Sequence, residues 1–172
     1  MRNVITCDAD GKETGTCPTA DAHANNGILH KAFSVFVFRN GGNELLLQRR
    51  SDKKQLFPLL WTNTCCSHPQ PGEDPIAAAQ KRLQEELGFS CPLKEIGSFA
   101  YQATDPSGNG AEHEYDTVLM GNVEEETALK PDPNEVAEVR WITLEELLVE
   151  LDEKPEQFTP WFPEALALLF DT

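Results

Sequence analysis

The chain has 172 residues, 40% of them hydrophobic, enough to close one core, and no apolar run approaches the roughly 20 residues that span a bilayer. Its 14 basic and 29 acidic residues give a formal net charge of -15, so most of its surface repels nucleic acid. Five cysteines, an odd number, and a first segment with no apolar run behind Arg2 lead us to expect a cytoplasmic protein with reduced thiols, neither secreted nor held by disulfides.

We expect one domain over residues 1–172, with 1–15 as an N-terminal extension or strand, and find no repeat, low-complexity segment or linker. "AFSVFVF" (32–38) and "ELLLQRR" (44–50), separated by "RNGGN", predict a hairpin in which Gly41 and Gly42 supply positive φ. "LLWTNTCC" (59–66) follows as a further strand. Asp74 as N-cap, Pro75 in the first turn and Gly88 beyond the end frame a helix over 75–87, with Ile76, Leu83 and Leu87 on one face. Strands are predicted at 93–103, 112–121 and 135–142. A capping box of Thr143 and Glu146 opens a helix over 144–151, and Thr159-Pro160 opens a terminal helix through "WFPEALALLF". The irregular alternation of strands and helices indicates an α/β (α+β) sandwich, a mixed sheet flanked by helices.

Charge is unevenly spread along the chain. Residues 123–156 carry twelve acids against Lys130, Arg140 and Lys154, which reads as a solvated face. Residues 30–54 carry six basic side chains against Glu44 and Asp52, so this segment is either a lysine-decorated loop region or a place that draws in a small phosphorylated ligand.

Side chains alternate along a strand, so Cys66 should share a face with Thr62, Thr64 and His68, while Cys65 faces the other way as an inert buried thiol. Glu112 and Glu114 likewise share a face, with His113 opposite. Two adjacent carboxylates repel, so they are either solvated surface groups or ligands to a divalent cation. His23 and His30, ahead of the first strong strand, are open to the same two readings.

The segment from Ser67 to Phe89, with "EDPIAAAQKRLQEELGF" at its heart, resembles the Nudix box, a loop-helix-loop that holds divalent metal on a diphosphate. Glu73, Glu85 and Glu86 fall on box glutamates; Ser67 stands in place of its first glycine, Lys81 of its arginine and Arg82 of the glutamate that follows. Loss of that glutamate argues against diphosphate hydrolysis. "HKAFSVFVF", "LLLQRRSDKK", "WTNTCCSHPQPGE", "EELG", "AYQATDPSG", "EHEYD" and "PWF" occur in order and together resemble the type I isopentenyl-diphosphate isomerases, from about Thr16 to Phe162.

That resemblance implies a metal site on His23, His30, His68, Glu112 and Glu114, able to take zinc, manganese or magnesium. It implies catalytic roles for Cys66 and Glu114 with Tyr101 beside them, and a magnesium ion at Glu86 that accompanies the substrate diphosphate. Arg50 and Lys54 would bind the diphosphate and Trp161 would cover the hydrocarbon end. A further basic contact of the family would align near Thr19, where this chain has no lysine. The expected partner is a small isoprenoid diphosphate, with no nucleic acid and no membrane, on a monomer or weak dimer. A Nudix hydrolase and a non-catalytic metal-binding domain are the competing classes; the second would need neither Cys66 nor Trp161.

Overall fold

In the computed structural model, which describes residues 2–171, the apolar run "AFSVFVF" forms the axis of the fold as part of β3 (His30–Arg39). Phe33, Val35 and Val37 enter one core cluster and Phe36 and Phe38 the other. A strand covered on both faces has no solvent side, so it reads as continuous hydrophobic sequence instead of alternating.

β8 (Ala111–Asn122) runs parallel to β3, from His30 opposite Glu114 to Phe38 opposite Asn122, and β7 (Leu93–Thr104) pairs antiparallel with β8. On the other side of β3 lies β6 (Cys65–Ser67), antiparallel, with Ser34 opposite Cys66. The mixed sheet is therefore borne out. β4 (Glu44–Arg50) forms a second ladder between β9 (Val136–Thr143) and the two-residue β5 (Trp61–Thr62). The predicted β3–β4 hairpin is present, although only Phe38–Leu45 and Arg39–Glu44 pair before the strands part to different neighbours. Its turn uses left-handed backbone at Asn40 as well as at Gly41 and Gly42.

The helix α2 (Pro75–Leu87) has the predicted ends: the Asp74 carboxylate accepts the Ala77 N–H, and Gly88 takes φ 77°. A Cβ at Gly88 would lie 2.6 Å from that of Lys130, so glycine also admits a close neighbouring chain. Ala78, Ala79, Leu83 and Leu87 enter the first core cluster, with Ile76 at its margin. Glu86 shares that buried side, at 1% exposure. α3 (Leu144–Glu153), opened by the Thr143–Glu146 capping box, and α4 (Phe162–Leu168) cover the second cluster through Leu147, Phe162 and Leu166.

Two expectations change and a third gains detail. "LLWTNTCC" is not one strand: β5 ends at Thr62 on β4, and Asn63 and Thr64 carry the chain across to β3, where β6 begins. The Thr64 hydroxyl binds both ladders, donating to Leu46 O and accepting from Val37 N, which holds this crossing. The terminal helix starts at Phe162 with Pro163 in its first turn, because the Thr159 hydroxyl bonds the Thr62 hydroxyl instead of capping. The first segment is structured: β1 (Asn3–Cys7) and β2 (Glu13–Pro18) form a hairpin that meets β3 at Thr6–His30, and α1 (Thr19–His23) follows.

Candidate active site

Register assembles the first part of the site. Glu114 in β8 lies opposite His30 in β3 and opposite Tyr101 in β7, so one row of side chains crosses three strands on one face. Glu112, two residues earlier, points the same way, while His113 turns to the other face with Nδ1 3.4 Å from Gly27 O. α1 delivers His23 and the end of β6 delivers His68, and one ligand atom from each of His23, His30, His68, Glu112 and Glu114 lies within 4.8 Å of the others.

The ring orientations follow from backbone carbonyls. His23 Nδ1 is 2.8 Å from Thr19 O, and His30 Nδ1 is 2.6 Å from Ile28 O. A carbonyl only accepts, so each Nδ1 carries its proton outward and each Nε2 faces the cluster. His23 Nε2 stands 2.9 Å from Glu112, His30 Nε2 3.6 Å and His68 Nε2 2.8 Å from Glu114. His23 Nε2, His30 Nε2 and Glu112 Oε2 are nevertheless buried without a hydrogen-bond partner among the described residues. Such atoms are costly unless something positive satisfies them.

The electrostatics of the cluster point the same way. Burial alone would lower the His23 imidazole, but contact with Glu112 and the charge of Glu114 outweigh it and raise it to about 9. Burial likewise lowers His68, against the opposing pull of Glu114. Against the opposing pull of burial, His30 and His68 hold Glu114 well below the usual carboxylate range. Three imidazoles and two carboxylates with orphaned inward atoms fit a divalent ion, and the nitrogen and oxygen donors suit several metals.

Tyr101 donates its hydroxyl to Glu114 Oε2 at 2.5 Å, and burial followed by the Glu114 charge keeps that phenol protonated. Across the same cavity, of about 180 Å³, lies Cys66. Asn63 aims it: its amide nitrogen donates to Val35 O and Cys65 O, which turns Oδ1 toward the thiol at 3.1 Å. Ser34 Oγ sits 3.6 Å from the sulfur and 2.6 Å from Asp116 Oδ2. Burial, then the nearby Asp116, push the Cys66 thiol up to about 12, so it holds its proton. Cys65 is fully buried in the first core cluster, facing away as predicted. The division of the two cysteines holds within β6 alone, since the crossing at Asn63–Thr64 breaks the longer alternation.

Trp161 closes the apolar side, 3% exposed, with its ring centroid 5.6 Å from Phe57 and 5.7 Å from Tyr101. Arg50 lies 5.4 Å above the same ring and donates to Leu56 O and Phe57 O. Lys54 also lines the cavity, paired with Glu135. Arg49, Lys53 and the other basic residues of 30–54 bind partners elsewhere, among them Glu13, Glu44, Glu138 and Asn134.

Glu86 stands apart from the five-ligand cluster. Its Oε1 receives Arg82 at 2.5 Å and its Oε2 receives Gln48 at 3.1 Å, and Arg82 also reaches Glu85 and Glu135. The residue that replaces the Nudix-box glutamate is thus a cation lodged among the remaining carboxylates. Sequence reasoning did not bring Arg2, Ser67, Arg82 or Glu135 to the cavity, yet all four line it. Arg82 was visible as a departure from the box, whereas Arg2 reaches the cavity only through the β1–β2 hairpin, which has no local signature.

Comparison with known proteins extends these observations. Residues 28–162 match the model of the NUDIX domain. The isopentenyl-diphosphate Delta-isomerase of Nocardia farcinica is 47% identical over 161 residues, covering 94% of this chain and 90% of the relative. That of Halorhodospira halophila is 43% identical over 162 residues, covering 94% and 91%. Among solved structures, a Deinococcus radiodurans protein superposes with a TM-score of 0.70 at 19% identity, over 89% of this chain and 90% of the other. A MutT protein from Methanosarcina mazei Go1 gives 0.64 at 18% identity, over 80% and 89%. At those identities the structural likeness establishes the fold alone.

Proposed function

Because the chain belongs to the Nudix family and, within it, to the isopentenyl-diphosphate isomerases, we propose that it interconverts isopentenyl and dimethylallyl diphosphate through a tertiary carbocation, serving isoprenoid synthesis. The observation that carries this mechanism is one cavity lined by a protonated thiol, Cys66, and by the Tyr101–Glu114 pair. Moving the double bond adds a proton to the terminal carbon and removes one from the carbon on the far side of the cationic centre. Two proton-transfer groups must therefore flank the substrate, and in a reversible reaction each serves both ways.

Cys66 is one of these groups, held by Asn63. Glu114 is the other, with Tyr101 relaying or polarising the proton on its side. Trp161 turns an aromatic face toward the hydrocarbon and, with Phe57, excludes the water that would capture the cation; a desolvated cation–π contact contributes about 2 kcal/mol. Arg50 and Lys54 bind the diphosphate.

We assign His23, His30, His68, Glu112 and Glu114 to a divalent ion, Mn2+, Zn2+ or Mg2+, which when bound orients Glu114 and acidifies protons beside it. Glu86 is assigned to a magnesium ion that accompanies the diphosphate, a role that requires Arg82 to exchange Glu86 for phosphate. No helix among the described residues is long and apolar enough to cross a membrane. With five free thiols, we place the protein in the cytoplasm as a single domain over residues 1–172, a monomer or weak dimer without nucleic-acid or membrane partners.

Proton NMR of isopentenyl diphosphate in heavy water, with purified protein and magnesium, tests the proposal. Conversion to the dimethylallyl isomer with deuterium incorporation, lost on chelation, is the expected result. Unchanged isopentenyl diphosphate together with cleavage of nucleoside diphosphates would make the protein a hydrolase and overturn it.

A further inference from the structure

Four cations line the cavity: Arg2, Arg50, Lys54 and Arg82. Three are already engaged. Arg50 donates to Leu56 O and Phe57 O, Lys54 pairs with Glu135, and Arg82 is shared among Glu85, Glu86 and Glu135. Arg2 alone of the four has neither an ion pair nor a side-chain hydrogen bond among the described residues. The carboxylates lining the cavity are Glu112, Glu114 and Glu135, so without Arg2 the remaining cations match them one for one. Arg2 is a positive charge beyond that match.

The backbone beneath this side chain is held in place. Thr19 donates both its N–H and its hydroxyl to Arg2 O, at 3.0 and 2.9 Å, where the β1–β2 ladder begins with Asn3 opposite Pro18. Thr19 O in turn lies 2.8 Å from His23 Nδ1. One residue therefore fixes Arg2 relative to an imidazole of the metal cluster, and sets the spacing between the cationic end of the cavity and the cluster. Arg2 also lies outside residues 28–162, the stretch that matches the family model.

We propose that Arg2 is a substrate-binding residue whose guanidinium contacts the diphosphate directly, as the readily available cation of the cavity. This rests on the isomerase function proposed above. A charged hydrogen bond to phosphate at a site open to water fits a contribution of about tenfold in affinity.

The test uses the full chain with Arg2→Gln and Arg2→Lys, and reads two quantities: KM and kcat for isopentenyl diphosphate, and calorimetric affinity for inorganic pyrophosphate in magnesium. Arg2→Gln should raise KM and weaken pyrophosphate by about tenfold each, with kcat within about twofold, and Arg2→Lys should restore most of both. Unchanged pyrophosphate affinity in Arg2→Gln would overturn the proposal. So would a fall in kcat at constant affinity, which would mean that this end of the chain acts through Thr19 and His23 as support. Pyrophosphate binding needs no turnover, so a wild-type protein that fails to isomerise while Arg2→Gln still weakens pyrophosphate would sink the isomerase function and leave Arg2 in place.

Discussion

Two groups of carboxylates flank the cavity, and they are neutralised by opposite means. At the β8 end, Glu112 and Glu114 face three imidazoles whose inward nitrogens remain partly unsatisfied. At the α2 end, Glu85, Glu86 and Glu135 share the guanidinium of Arg82. The arginine that stands in place of one box glutamate gives the α2 end a cation of its own before any diphosphate or magnesium arrives, whereas among the described residues no lysine or arginine pairs with Glu112 or Glu114.

The largest effect should come from the β8 end. Glu114→Gln should lower isomerisation by about a thousandfold or more and leave metal content after dialysis well below one ion per chain, because the roles proposed for it are both proton transfer and ligation. Cys66→Ala should lose turnover to a similar extent with metal content intact. Metal analysis beside the NMR assay separates the two, and equal metal loss in both variants would erase the distinction between ligand and proton donor.

Next in size, Arg82→Ala should destabilise the protein by about 3–5 kcal/mol in denaturant unfolding, since it leaves the buried Glu86 facing an empty position. A cost under about 1 kcal/mol would mean that solvent already screens this pair. Chelation addresses the other end: with free ion at about 100 times its Kd, removing it should cost about 2.7 kcal/mol, and the effect should persist in Arg82→Ala if the two ends are independent. The smallest effect is expected for Cys65→Ala, with turnover nearly unchanged and a stability loss of about 1 kcal/mol from the core cavity it leaves. Inactivity of a folded Cys65→Ala would mean that the two cysteines exchange roles.

Most elements could be read from local chemistry. Asp74, Gly88 and the Thr143–Glu146 box mark helix ends because the groups they satisfy lie within a few residues. Thr159-Pro160 misled for the same kind of reason: its hydroxyl found a partner in Thr62, distant in sequence, and local propensity cannot anticipate that. The break between β5 and β6 escaped prediction because Thr62 and Thr64 favour strands and outweigh the single turn-former Asn63 between them, and only the two ladders they join explain the crossing. Charge counting along 30–54 also overstated the cationic region, since long side chains in that segment pair with acids from β2, β9 and the loop before it.

By itself the amino-acid sequence determined which faces the functional side chains share. Period-two geometry puts Glu112 with Glu114 and separates Cys65 from Cys66, and a left-handed glycine ends α2 wherever that helix lies. Its ordered motifs also determined the family. Tertiary structure alone decided which neighbours those faces meet: the register of β8 on β3 and β7 sets Glu114 between His30 and Tyr101, and a one-residue slip would put it on the other face. It alone brought Arg82 onto Glu86 and Arg2 into the cavity, because Coulomb and hydrogen-bond energies depend on distances in space, which separation along the chain does not set.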